Sequence, residues 1–153
     1  MKYKFFWSGP YSNWYKVDIV IDNKTFTSSE QYYMYMKAFI FNDFDTAKLI
    51  LATNNCKEQK KLGRNVKGFD QQRWDILKYD VMWTGVYNKF LQNPGLLTML
   101  RSEQCEKFVE ASPFDRIWGI GYDENTAMTV SENEWGENLL GKILTNVRDQ
   151  LTL

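Results

Sequence analysis

Leu139, Leu140, Ile143, Leu144 and Val147 recur at three- and four-residue intervals near the end of the chain. That is the spacing of one apolar helical face, and it predicts a last helix over 133–151. A longer stretch, 70–92, carries Trp74, Leu77, Val81, Trp83, Val86 and Phe90. Its apolar positions fall on more than one face, which predicts a central helix capped by Asp70 and stopped by Asn93-Pro94-Gly95. Shorter segments predict helices over 29–41, with Ser28-Ser29 offering the cap, and over 43–53, 57–62 and 96–101. Gly63 and Gly68 punctuate the segment after 57–62. Strand signals are fewer. Residues 4–7 read as a short strand, and Val17 to Ile21 alternates before a turn at Asp22-Asn23-Lys24 and a return through Thr25-Phe26-Thr27, which makes a hairpin. Phe108 and Val109 predict a strand over 107–111, ahead of a Pro-containing loop, 112–121. Many helices with few short strands predict an α+β fold, mostly helical with a small antiparallel sheet.

Composition adds little to the fold and more to the chemistry. A chain of 153 residues suits one domain that buries its own core, and no repeat, low-complexity tract or linker interrupts 1–153. Aromatic residues make up 16%, with six Trp, which leaves rings to spare for a pocket. Formal net charge is zero, and this argues against a domain that grips nucleic acid by its backbone. A single modified base remains compatible. Cys56 and Cys105 form no CxxC pair and read as reduced thiols, with no metal site indicated. The first residues predict no secretory signal, and no segment approaches the roughly 20 apolar residues of a membrane span. The expected location is the cytoplasm, or a host's cytoplasm for a viral chain. There is no histidine at all. Ser-His-Asp and Cys-His catalysis and imidazole metal ligation are thereby excluded, so acid–base work falls to Asp, Glu, Lys, Tyr or Cys.

Two segments gather such residues. Glu30, Tyr33 and Lys37 share one face of the 29–41 helix. Glu30 and Lys37 are roughly 10 Å apart along the axis, too far for a direct intrahelical ion pair but suited to converging on something between them. Spacing alone favours a solvated polar face, with Tyr32, Met36 and Phe39 turned to the core. The loop 112–121 brings together Asp115, Arg116, Trp118, Gly119 and Gly121, and its glycines admit backbone close to a ligand. A structural turn held by Asp115 explains the same pattern. Asn138, beside Trp135 at the expected start of the last helix, offers an amide to a ligand or simply a cap. Lys57, Lys60, Lys61, Arg64 and Lys67 face one acid, Glu58, and read as a solvated stretch from which Arg64 could meet a phosphate.

Taken in order, several segments resemble the YbiA-like or NADAR family. They are Trp7-Ser8-Gly9-Pro10-Tyr11-Ser12-Asn13-Trp14-Tyr15, Ser29-Glu30-Gln31-Tyr32-Tyr33-Met34 with Lys37-Ala38, Leu62-Gly63-Arg64-Asn65-Val66, and Phe69-Asp70 with Trp74. Lys89-Phe90, Val109-Glu110-Ala111-Ser112-Pro113, Asp115 with Trp118-Gly119-Ile120-Gly121, and Trp135-Gly136 with Asn138-Leu139-Leu140-Gly141 and Arg148 complete the set. The resemblance implies a YbiA-like α+β domain that acts on ribose joined to nitrogen. Members include N-glycosidases of early riboflavin-pathway intermediates and enzymes that remove ADP-ribose from the exocyclic amine of guanine. It also implies roles for Glu30, Lys37, Trp74, Asp115 and Trp118.

The expected function is therefore hydrolysis of the bond between ribose C1′ and an exocyclic amine. The substrate would be ADP-ribosylated guanine, free or in nucleic acid, or a phosphoribosylamino-pyrimidine. Glu30, Lys37 and Asp115 would be catalytic. Trp74, Trp118, Gly119, Tyr33, Arg64 and Asn138 would bind substrate, and no cofactor or metal is required. The alternative is a non-catalytic module that binds ADP-ribose or NAD.

Overall fold

The computed structural model describes residues 2–152. The elements run β1 (Tyr3–Phe6), β2 (Ile19–Ile21), β3 (Lys24–Phe26), α1 (Ser29–Ile40), α2 (Phe44–Ala52), α3 (Cys56–Arg64) and α4 (Gln71–Gln92), then α5 (Pro94–Ser102), β4 (Lys107–Glu110), α6 (Glu124–Ala127), a 3-10 turn at Glu132–Glu134, and α7 (Leu139–Thr152). The fold is α+β and mostly helical, as the apolar pattern predicts. The described residues form two compact units, one of residues 2–12 and 93–152, the other Asn13–Gln92.

In the unit Asn13–Gln92, β2 and β3 make the antiparallel hairpin, with Ile19 opposite Phe26 and Ile21 opposite Lys24. Asp22 and Asn23 both take positive φ, at 51° and 63°. This is the two-residue turn that suits strand twist, and Asp and Asn tolerate it better than most side chains. The Gln92 amide closes on Val20 at both ends, accepting from its N–H at 2.8 Å and donating to its carbonyl at 2.8 Å. Helix α1 is the hub, packed by α2, α3 and α4. Ile19, Phe26, Ile50, Met82 and Phe90 are almost wholly buried around it. Helix α3 runs on through Gly63 rather than ending before it, because the missing side chain leaves the place that Met34 fills.

In the other unit, β1 pairs with β4 in parallel, Tyr3 opposite Lys107 and Phe6 opposite Glu110. The sheet content is thus the expected antiparallel pair plus a parallel pair. Helix α7 packs on β4, and α5 packs on α7. The last helix starts at Leu139, not at 133. Asn138 sits at φ 53°, outside helical geometry, and the preceding residues form the 3-10 turn and an extended stretch. Among the described residues no helix is long and apolar enough to cross a membrane.

Candidate functional site

The first turn of α1 is held from several sides. Ser28 caps it, its Oγ accepting from the Gln31 N–H at 3.1 Å. The Gln31 side chain accepts from the Thr27 N–H at 2.7 Å and donates to the carbonyls of Ile50 and Thr53, at 3.1 and 2.9 Å. Asn13 takes the next two positions. Its carbonyl accepts from the Glu30 N–H at 3.1 Å, and its Oδ1 accepts from the Ser29 hydroxyl at 2.8 Å.

This clasp fixes Glu30 where a carboxylate rarely stands. Glu30 is 6% exposed and Tyr33 is 5% exposed, so the face that spacing marked as solvated is buried. On the opposite face Tyr32 is core as expected, Met36 is half-buried, and Phe39 is 46% exposed. Lys37 is half-buried on the same face as Glu30. Burial holds its ammonium below the ordinary lysine range, the Glu30 carboxylate opposes that shift, and the Arg64 guanidinium adds to it.

Aromatic rings complete this cluster. The Lys37 Nζ lies 4.5 Å from the Phe69 ring centroid, and Phe69 packs edge-on against Phe41 at 5.3 Å. Arg73 covers Phe41 from its other neighbour, with Cζ 5.6 Å from the centroid. Trp74 packs on Tyr33 at 5.1 Å and on Phe41 at 6.2 Å. Trp74 is only 4% exposed, so it serves as a packed wall, and the ring with an open face is Phe69 at 36%. Glu30, Tyr33, Lys37, Arg64 and Trp74 are therefore brought together inside Asn13–Gln92. Asn13, Phe69 and Arg73 join them; their roles depend on contacts that sequence spacing does not encode.

A second lysine is more deeply buried than Lys37. Lys89 is 1% exposed, and burial pushes its pKa down to about 7. Its Nζ lies 5.6 Å from the Tyr15 ring centroid and 5.2 Å from that of Phe90.

Asp115, Trp118, Gly119 and Asn138 lie in the other unit. Asp115 Oδ1 accepts from the Ile117 and Trp118 N–H groups, at 2.8 and 2.9 Å, and so shapes the loop. Among the described residues no hydrogen bond reaches its Oδ2. Gly119 has no room for a side chain, since a Cβ there would lie 2.8 Å from the Glu110 carbonyl oxygen. The loop is gripped by a run of consecutive amides. Gly136, Glu137, Asn138, Leu139 and Leu140 donate to the carbonyls of Ile120, Arg116, Gly119, Ile117 and Trp118 respectively. The Asn138 Nδ2 donates to the Phe108 carbonyl and its Oδ1 accepts from the Glu110 N–H, both at 3.0 Å. With one bond from each end of its amide to β4, Asn138 ties the start of α7 to that strand. Trp135 likewise packs between Tyr3 and Phe5, at 5.2 and 6.0 Å.

A buried carboxylate and a lysine with a weakened charge, two turns apart over a wall of rings, can exchange protons with a ligand and offer it an amine nucleophile. The model of the NADAR domain matches residues 5–152. An N-glycosidase of Acanthamoeba polyphaga mimivirus is 40% identical, over 92% of this chain and 86% of its own length. A riboflavin biosynthesis protein of Vibrio vulnificus is 29% identical, over 92% of this chain but 35% of its own length. The NMR structure of the E. coli protein YbiA superimposes with a TM-score of 0.80 at 27% identity, covering 98% of this chain and 84% of that one.

Proposed function

The chain belongs to the NADAR domain family, and from that premise we propose that it releases a ribosyl group from an exocyclic amine. It is a hydrolase of N-glycosyl bonds, as its mimivirus relative is. The substrates proposed are ADP-ribosylated guanine and the phosphoribosylamino-pyrimidine of riboflavin biosynthesis. We assign the reaction to the cytoplasm, where the thiols of Cys56 and Cys105 stay reduced.

The observation that carries the proposal is the pairing of buried Glu30 with Lys37 on one face of α1. A sugar on an exocyclic amine opens to an imine, which a lysine can exchange. In the proposed sequence the Lys37 amine attacks C1′. The Glu30 carboxylate takes a proton from the attacking amine and delivers it to the departing nitrogen as the bond from C1′ to that nitrogen breaks. Water then adds to the C1′–lysine imine, Glu30 takes a proton from it, and the lysine leaves. Burial and Arg64 keep a larger share of Lys37 as free amine at neutral pH, as a nucleophilic lysine needs. In this reading Phe69 stacks on the base and Arg64 takes the phosphate.

Borohydride reduction during turnover tests this. A reduced ribosyl adduct on Lys37, lost in Lys37→Arg, is the expected result. Full turnover by Lys37→Arg would remove the lysine from the chemistry and leave direct displacement by water activated by a carboxylate. Binding of ADP-ribose with no product from either substrate would instead mark the chain as a binding module.

A further inference from the structure

The clasp on α1 contains an amide whose donor end is left over. Asn13 is 8% exposed, so nine-tenths of it is buried. Its main-chain carbonyl is taken by the Glu30 N–H, and its Oδ1 by the Ser29 hydroxyl. The second contact fixes which way the amide faces, because an oxygen pointed at the Ser29 hydroxyl turns Nδ2 away from it. Among the described residues, no hydrogen bond from Nδ2 is found. Ser28, Ser29 and Gln31 all have partners. Nδ2 is not among the polar atoms sealed from solvent without a partner, so although the residue is buried its donor end opens outward, where a ligand can meet it.

We propose that Asn13 is a specificity-determining residue whose side-chain N–H donates to the 2′-hydroxyl of the ribosyl group that Glu30 and Lys37 act on. The inference rests on the reading of the site given above. Its logic is positional. Asn13 holds the main chain of Glu30 directly, so the amide and the carboxylate share one rigid turn. A carboxylate that works at C1′ stands beside the neighbouring carbon, and the hydroxyl on that carbon is the 2′-OH. A hydrogen bond there gains strength as charge develops at C1′, whichever of the two routes is followed. A deoxyribosyl group would leave the amide unmet, and a site built to hydrogen-bond a hydroxyl rejects the analogue that lacks it. Asn13 would therefore make this an enzyme for ribosyl rather than 2-deoxyribosyl groups.

Asn13→Asp separates this role from a purely structural one. The substitution keeps an oxygen for the Ser29 hydroxyl and the main-chain carbonyl for Glu30, and puts a charged acceptor oxygen where the donor stood. The measurement is kcat/KM on the phosphoribosylamino-pyrimidine and on its 2′-deoxyribosyl counterpart, with melting temperature alongside. We expect the ribosyl-to-deoxyribosyl ratio of the wild type to fall about tenfold in Asn13→Asp, the worth of one good hydrogen bond. The ratio is internal to one sample and does not depend on the folded fraction. An unchanged ratio would overturn the proposal and leave the glycosidase reading standing. A second measurement needs neither a variant nor turnover. In 15N-labelled wild type, the Asn13 side-chain NH2 signal should shift with D-ribose 5-phosphate and hold with 2-deoxy-D-ribose 5-phosphate. Equal response to both sugars, or to neither, overturns the proposal. A selective shift in a protein without turnover on either pyrimidine substrate would keep the Asn13 contact and sink the glycosidase reading instead.

Discussion

The Glu30 carboxylate sustains the charge on Lys37 that burial opposes, and Arg64 pulls the other way. The three groups form one electrostatic unit, and each can be removed separately. In the proposed reaction the free amine of Lys37 is the reactive form, so kcat/KM rises with pH through the lysine's pKa. Arg64→Met removes a cation that depresses that pKa, so the rising limb should move to higher pH. An unmoved limb would mean that another group sets the profile. Glu30→Gln should cost about a hundredfold or more in kcat if the carboxylate transfers protons. Wild-type turnover in Glu30→Gln would remove it from the mechanism.

The helices and the hairpin were legible in the sequence because local spacing, caps and turn residues encode them. Asn93-Pro94 ends α4 where the pattern says, and Asp22-Asn23 turns the hairpin. The α1 face was misread from spacing for a physical reason. Glu30 and Tyr33 are buried through contacts with distant chain, such as Asn13 to the Glu30 main chain, and periodicity carries no record of those. The start of α7 was misplaced because the polar run before Leu139 fits a helix as well as it fits a loop. Only the hydrogen bonds that tie 136–140 to the 116–120 loop, with Asn138 at positive φ, decide between them. For the same reason sequence alone does not reveal the Asn138 bonds to β4. A free amide and one bonded to a strand look alike in sequence.

Asp115 can be tested for shape and for chemistry apart. Its Oδ1 organises the loop through two amides. Asp115→Asn keeps an acceptor there and should leave the melting temperature near wild type. Asp115→Ala should cost about 1–2 kcal/mol of stability through the lost acceptor. If Asp115→Asn loses activity at unchanged stability, the charge matters to the reaction. If both variants keep activity, Asp115 only shapes the loop. Thermal melts and kcat on one preparation of each variant decide.

Gly136 tests the grip on the same loop. A side chain there would land on the Arg116 main chain, which has no soft end to yield. Gly136→Ala should therefore destabilise by about 1–3 kcal/mol, the usual cost of forced overpacking. Hydrogen exchange should quicken at the amides of 137–140, whose acceptors lie on the loop. Unchanged exchange with unchanged stability would show that the two segments separate freely.

Lys89 gives a pH signature whose sign is fixed by its direction of shift. Burial brings its folded pKa down to about 7, while an unfolded chain keeps it near the ordinary value of about 10.4. Between those values the unfolded chain binds a proton that the folded one does not. Stability from this group therefore rises with pH across that window, and is flat below it, where the lysine is charged in both states. Lys89→Met removes the titration and keeps an unbranched side chain of similar reach over Tyr15 and Phe90. Urea unfolding of both proteins at several pH values should show the wild type gaining on the variant as pH increases through the window. Parallel profiles would mean that the Lys89 ammonium stays charged inside the fold, with its burial offset by partners strong enough to hold the proton. Because Lys37 is shifted in the same direction and is present in both proteins, the difference between the two profiles isolates Lys89.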